Sequence, residues 1–444
     1  MENFGHIWGW EPQLQPPTAA DRQMIANHYD WQWGGSLPKL LRHSQVKHSL
    51  LRAYLVDYFL TLVSSPHQDK IQLTVVDGFC GGGRYVNEAG QDVPGSPVVI
   101  LQAVQEAKAR VLHEQQRRKP LEFDVKLICI DESAAAIEHL KRVLDEQGFG
   151  DKLRDGSVQL LQGDFVAHAD AAIAEAQRRS PKAGRAIFVL DQYGYDSVPL
   201  RSLKQIFSAL NRPEVILTFN VDSLINYLCE KNVNDFERKT GITGAIPAAQ
   251  LDKEHRSPNW RLEVQAGLYQ RLTTGSGASY FTPFFIRPER GHGDFWLLHL
   301  SQHWKARDVM ANAHWKHQNH FVHYGAAGFD MLSTGYAARI DAEAKPQASF
   351  EFDDIASAAS LEALMAQIPL ALDNHRGGIA FDQFFLDRMN TTPATKGMVE
   401  AAVLKLATEK ELQVLGADGA TSKVRVALKP GHILRLPPQR GFSF

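Results

Sequence analysis

Five short β-rich runs, four of them ending in aspartate, alternate with helical patterns between residues 71 and 220. This rhythm constrains the fold more than any other feature of the chain. The runs are IQLTVVD (71–77), VKLICID (125–131), VQLLQGD (158–164), RAIFVLD (185–191) and EVILTFN (214–220). Helical spacing fills residues 97–119, 133–147, 167–179 and 199–210. Strands alternating with helices are joined by crossovers, so they lie parallel in an open α/β sheet covered on both faces. Residues 279–300 depart from the rhythm. SYFTPFFIR, the turn PERGHGD and FWLLHLS read as an antiparallel hairpin. The polar, mostly helical stretch 232–278 reads as an insertion over the ligand edge, and residues 305–318 as a further helix.

The flanks have other characters. Residues 1–45 hold Trp8, Trp10, Trp31 and Trp33 with four prolines, and read as an arm anchored on the body through aromatic side chains. Residues 46–62 space Leu50, Leu51, Tyr54, Leu55, Tyr58, Phe59 and Leu62 at helical intervals. The expected domain of the sheet spans 46–339. Residues 340–377 open acidic and rich in small side chains, and read as a linker. Residues 378–444 look like a winged helix: a first helix in FDQFFLDRM, a turn and short helix in TTPATKGM, a third helix in VEAAVLKLATEKEL, then two strands around a glycine turn. No internal repeat is visible.

Composition excludes several classes. The chain has 444 residues, long enough for two or three domains without a disulfide or metal staple. Lys and Arg total 48 against 50 Asp and Glu, so nucleic acid is not held by bulk charge; contact with it requires a local patch. Cys80, Cys129 and Cys229 lie far apart, which excludes a disulfide framework and a CxxC metal site. A reducing cytoplasm is the expected compartment. The longest apolar runs read as too short to span a bilayer, and MENFGHIWGWEP does not read as a signal peptide.

The chemistry gathers at the ends of the runs. The first ends in Asp77-Gly-Phe79-Cys-Gly81-Gly-Gly83-Arg84-Tyr85. Three consecutive glycines let backbone approach a ligand where a Cβ would clash, and open sheets bind ligands at the carboxyl ends of their strands. No Gly-Lys-Ser/Thr follows, so this is not a phosphate loop. Asp131 and Glu132 end the second run, where a carboxylate can accept both hydroxyls of a ribose. Asp164 ends the third, placed to accept from an adenine amino group with Phe165 beside the ring. One glycine-rich turn with these acids suits S-adenosylmethionine, a nucleoside without phosphates. The competing reading is that the acids cap helices.

The fourth run ends in Asp191-Gln-Tyr193-Gly-Tyr195. In amino-group methyltransferases this place carries an acid or amide, two prolines and an aromatic. The acid and a backbone carbonyl hold the target nitrogen, and the aromatic stacks on the base. Asp191 and Tyr193 fit those roles; Gln192 and Gly194 replace the prolines. A helix cap is the alternative role for Asp191. Seven histidines crowd residues 292–323; His314, His317 and His320 could share a helix face, but no carboxylate or cysteine accompanies those three, and the histidines read as structural rather than metal-binding. The cations near residue 117 read as a solvated helix end.

A parallel sheet ending in one hairpin resembles the class I methyltransferases. Lys47-His48, Asp77 with Gly81–Gly83, Arg84-Tyr85 and Gly95-Ser96-Pro97 resemble the adenine-N6 methyltransferases of large-subunit ribosomal RNA. The closer resemblance is to the three-Cys-motif partner proteins. It adds Leu51, Tyr54, the Asp191–Tyr195 segment and HWKARDVMANAHW (303–315), in order, over residues 46–325. It implies a class I fold of bacterial origin that works with a separate three-cysteine protein and binds S-adenosylmethionine. Cofactor contacts would come from Asp77, Phe79, Gly81, Gly83, Arg84, Tyr85, Ser96, Asp131, Glu132, Asp164 and Phe165. Catalytic roles would fall to Asp191, Tyr193 and Lys47, the last on substrate phosphate or cofactor carboxylate. Two functions stand open: a methyltransferase acting on an amino group of a nucleic-acid base, and a non-catalytic sheet plus winged helix that binds nucleic acid or a protein.

Overall fold

The structure is a computed structural model. It describes residues 31–63, 68–114, 121–192, 194–221, 224, 229, 232–246, 251, 260–286, 295–317, 321–324, 328–331, 349–351, 354–416, 418–422 and 427–438. Helix α1 (Arg42–Leu62) precedes β1 (Lys70–Asp77), the hairpin β2 (Arg84–Val86) and β3 (Asp92–Pro94), and α2 (Ser96–Glu114). Then come β4 (Glu122–Asp131), α3 (Ala134–Glu146), α4 (Gly150–Arg154), β5 (Val158–Gln162), α5 (Phe165–Arg179), β6 (Arg185–Leu190), α6 (Leu200–Ala209) and β7 (Arg212–Asn220). The insertion supplies α7 (Val233–Thr240) and α8 (Trp260–Ser276), and the hairpin is β8 (Tyr280–Ile286) with β9 (Phe295–Ser301). Helix α9 (Trp304–Lys316) and strands β10 (Phe321–Tyr324) and β11 (Ser349–Glu351) close the body.

Among the described residues the large sheet runs β11-β10-β8-β9-β7-β6-β1-β4-β5. Strands β5, β4, β1, β6 and β7 are mutually parallel; β9 turns antiparallel on β7, and β8 on β9. The five parallel strands followed by one reversed hairpin give the class I methyltransferase order. β10 and β11 extend the sheet beyond it, and sequence gave no sign of them.

Side-chain alternation divides the body into two cores. Leu73 and Val75 of β1 with Ile187 and Val189 of β6 face α1, α2, α3 and α9. Val76, Phe188 and Leu190 face α5, α6, α7 and α8. The strands are apolar nearly throughout because both faces are covered.

The C-terminal module differs from its sequence reading in three places. The expected linker contains α10 (Asp354–Asp373), whose Leu364, Ile368 and Leu372 enter the module's own core. β12 (Ile379–Ala380), α11 (Phe381–Leu386), α12 (Lys396–Thr408), β13 (Gln413–Leu415) and β14 (Ile433–Arg435) follow. The helix read as the first is thus the second, and TTPATKGM has no helix of its own before α12 begins. The strands pair β12-β14-β13, so the partner of β13 starts at residue 433 rather than within 412–428; residues 423–426 lie outside the described residues. Helix α10 has 20 residues and holds an 18-residue window of mean hydropathy 1.5, long and apolar enough to cross a membrane by length and composition alone. The module's core covers one of its faces instead.

Candidate active site at the carboxyl ends of the parallel strands

β1, β4, β5 and β6 point their carboxyl ends to one edge, and the structure brings Lys47, Asp77, Ser96 and Asp191 together there. Asp191 follows β6, and the Lys47 ammonium on α1 donates to both of its carboxylate oxygens at 2.6 Å. Burial pushes the Asp191 carboxyl up, but the Lys47 charge and hydrogen bonds and the Thr218 hydroxyl outweigh it and hold the group below its ordinary range. Beneath the pair lies a small cavity whose apolar lining includes Leu51, Val189, Ile216 and Met310. His48 is held uncharged: burial, only partly offset by Asp191, lowers it to about 4.

Asp77 is fully buried at the end of β1. Its Oδ1 accepts from the Phe79 N–H at 3.4 Å, and its Oδ2 has no hydrogen-bond partner. Burial first, then repulsion from Asp191 and Asp131, raises its carboxyl to about 7 against the pull of Ser96 and Phe79. Asp131 ends β4 with Oδ2 accepting from Gly81 N–H and Oδ1 from Ser133 N–H, both at 2.9 Å. It therefore ties the glycine-rich loop to the next strand, while burial raises its carboxyl. Glu132 beside it is exposed.

The glycines answer to the chain's own aromatics. A Cβ on Gly82 would lie 2.2 Å from the Trp31 indole, and one on Gly81 2.5 Å from the Tyr85 hydroxyl. Trp31 donates its indole N–H to the Arg84 carbonyl at 3.1 Å and meets Tyr85 edge-on. Trp33 packs on His139 and Arg142 of α3. Among the described residues Trp31 and Trp33 are thus aromatic anchors of the arm; Trp8 and Trp10, with the rest of residues 1–30, lie outside the described residues. Gly83 is shut in by Leu140 and by Gly95, whose N–H donates to the Gly83 carbonyl at 2.9 Å.

Other expected site residues are placed elsewhere. Arg84 pairs with Glu146 at 2.6 Å on the surface. Asp164 is exposed and caps α5, accepting from Ala167 N–H at 2.8 Å, as the helix-cap alternative has it. Phe165 is 1% exposed, packed between Phe79 and Phe188, so it belongs to the floor under the loop and presents no ring face to the edge. The half-buried Phe79 lies nearer that edge. Tyr193 lies outside the described residues. Gln192 carries a role that sequence reasoning missed: its buried side chain accepts from the Ser197 and Val198 N–H groups, both at 3.1 Å, and folds the loop after Asp191 back on itself. An amide in place of the first proline was the signal.

Two of the described histidines take structural places. His299 is buried with Nε2 3.2 Å from Glu214, which also accepts from Tyr54, and His303 caps α9 by accepting from Lys305 N–H. Among the described residues no three His, Cys, Asp or Glu side chains are grouped to hold a metal.

A family model described as a GMT-like wHTH domain matches residues 335–419. It starts before α10 and so agrees with that helix belonging to the winged helix. No curated protein matches the chain. Among solved structures the chain is similar to WbdD at 10% identity, over 58% of this chain and 40% of that one, with a TM-score of 0.29. It is similar to a methyltransferase from Geobacter sulfurreducens at 15% identity, over 66% and 92% of the two chains, TM-score 0.26. It is similar also to an rRNA methylase from Streptococcus thermophilus at 16% identity, over 56% and 96%, TM-score 0.23. The fold assignment rests on the strand order itself: a class I methyltransferase-like sheet carrying a winged-helix module.

Proposed function

We propose that this chain is an S-adenosylmethionine-dependent methyltransferase acting on an amino group of a nucleic-acid base. The carrying observation is that Asp77, Asp131 and Asp191 stand at the ends of three neighbouring parallel strands, with Asp77 offering a buried carboxylate oxygen that lacks a donor. An unpartnered buried carboxylate fits a cationic ligand. Asp77, Ser96 and Asp131 would hold the cofactor, which when bound supplies a methyl group activated on a sulfonium. Asp191 orients the acceptor nitrogen, fixed in place by the Gln192 loop, and the apolar side chains around it exclude water. The resemblance at 46–325 supports a three-Cys-motif protein as the working partner.

One observation favours a non-catalytic module: Lys47 occupies the carboxylate that the acceptor needs. Isothermal titration with S-adenosylmethionine, followed by methyl-transfer assays on DNA and RNA with the partner present, separates the two readings. Cofactor binding with no transfer to either substrate class leaves only the module.

A further inference from the structure

Lys47 is the positive charge that balances Asp191. Its side chain is 12% exposed and that of Asp191 31%. Among the described residues the other groups facing Asp191 supply no cation. Thr218 and Ser96 are neutral, His48 is held uncharged, and Asp77 is a second carboxylate. Asp191 itself is not the mobile member, because Gln192 pins the loop that follows it to Ser197 and Val198. An exocyclic amino group can replace the hydrogen bonds of the ammonium, since both donate N–H to the carboxylate. It cannot replace the charge. Withdrawing the lysine with nothing to receive it strands one anion and one cation in partly desolvated surroundings. A lysine is a flexible point charge on a four-carbon stem, able to swing between two anions within reach.

Resting on the reading of Asp191 as the acceptor's anchor, we infer that the acceptor brings its own anion: Lys47 gives up Asp191 to the amino group and pairs with a phosphate of the same acceptor. The site then takes phosphate-bearing nucleotides of a strand and discriminates against neutral nucleosides and neutral amines. The same exchange explains how an occupied carboxylate serves as an acceptor site.

The test is isothermal titration of the full chain with adenosine, cytidine and guanosine, with their 5′-monophosphates, and with inorganic phosphate. At least one monophosphate is expected to bind about tenfold or more tightly than its nucleoside, the scale of one charge-assisted contact, and more tightly than phosphate alone. Lys47→Met removes that preference and Lys47→Arg keeps it. Asp191→Asn acts in the opposite direction: the released ammonium binds inorganic phosphate and the monophosphates more tightly than in the wild type. Equal binding of nucleoside and monophosphate by the wild type overturns the inference, as does a preference that survives in Lys47→Met. If Lys47→Met does not fold, an Asp191→Asn protein with no gain in phosphate affinity overturns it alone. A parallel titration with S-adenosylmethionine keeps the readings apart. Cofactor binding without phosphate discrimination sinks the exchange and leaves the methyltransferase reading standing. Discrimination without cofactor binding does the reverse.

Discussion

The Asp308 carboxylate on α9 accepts a hydrogen bond at 2.8 Å from the backbone N–H of Lys396, the first residue of α12. The body thus caps a helix of the winged-helix module, alongside Thr395, whose hydroxyl accepts from Met398. Arg307, the neighbour of Asp308, is fully buried and donates to Thr282 and to the carbonyls of Thr392 and Ala394. Trp315 donates to the Pro393 carbonyl, and Asn390 bonds Ser279 and Phe281 across the same seam. The HWKARDVMANAHW segment is therefore the joint between the two parts.

Removing that joint should uncouple them. Arg307→Met keeps the apolar stem but leaves two buried carbonyls without their donor, at a cost of about 2–5 kcal/mol. Burial has already lowered the guanidinium to about 10, so it stays charged at neutral pH. Calorimetry should show one cooperative unfolding transition in the wild type and two in the variant. A single transition at an unchanged temperature would mean the seam contributes nothing.

Asp77 makes stability depend on pH. Its carboxyl is raised from 3.8 to about 7 in the folded chain. A raised carboxyl contributes stability at acid pH that is lost as pH climbs through the folded value, here between about 4 and 7. The whole effect is on the order of 4 kcal/mol. Asp77→Asn should therefore gain stability over the wild type as pH rises across that window, with a constant advantage above it. Denaturant midpoints at pH 5 and pH 8 decide the matter.

Cofactor binding should depend on Asp131 through the loop as well as through direct contact. Asp131→Ala frees the N–H groups of Gly81 and Ser133 together. We expect S-adenosylmethionine affinity to fall by about 1–3 kcal/mol. Unchanged affinity in titration removes Asp131 from the site.

What could be read from sequence was local. Apolar runs ending in Asp77, Asp131 and Asp191 mark strand ends because a buried strand stays apolar until it meets the ligand edge. Helix α10 escaped because it is apolar nearly all round, with Pro369 inside it, so no helical stripe stands out from its composition. The glycine run 81–83 reads as a ligand cradle because an indole and a ligand make the same demand, the absence of a Cβ. Only the fold shows that Trp31 fills the space. The Lys47–Asp191 pair joins residues 144 apart, beyond any local pattern; resemblance named both residues without their contact.

The Trp31 contact can be measured. Gly82→Ala places a methyl group 2.2 Å from the indole, so ring or loop must shift, at about 1–3 kcal/mol. Trp31→Ala opens that space at its own cost. In a double-mutant cycle the two should be strongly non-additive, with Gly82→Ala nearly harmless once the indole is gone. Additive losses would place the strain of Gly82→Ala elsewhere.

Duplex DNA should bind this chain weakly through its winged helix. In groove-reading helix-turn-helix modules the first residues of the recognition helix meet base edges. Here that end of α12 is used up. Asp308 caps it, and Lys396 turns its ammonium to Asp382 at 2.6 Å and lies over the rings of Trp304 and Phe381. Lys405 is the cation on the exposed face of α12, with Glu409 and Glu411 just beyond its end. Non-specific affinity follows the number of phosphates neutralised, and so does its salt dependence. Lys405→Ala in the full chain should leave affinity for random-sequence duplex within about twofold and the salt slope within about one unit. Gel shifts across a salt series measure both. Tight, steeply salt-dependent binding that collapses in Lys405→Ala would return α12 to the groove and require the seam at Asp308 to open.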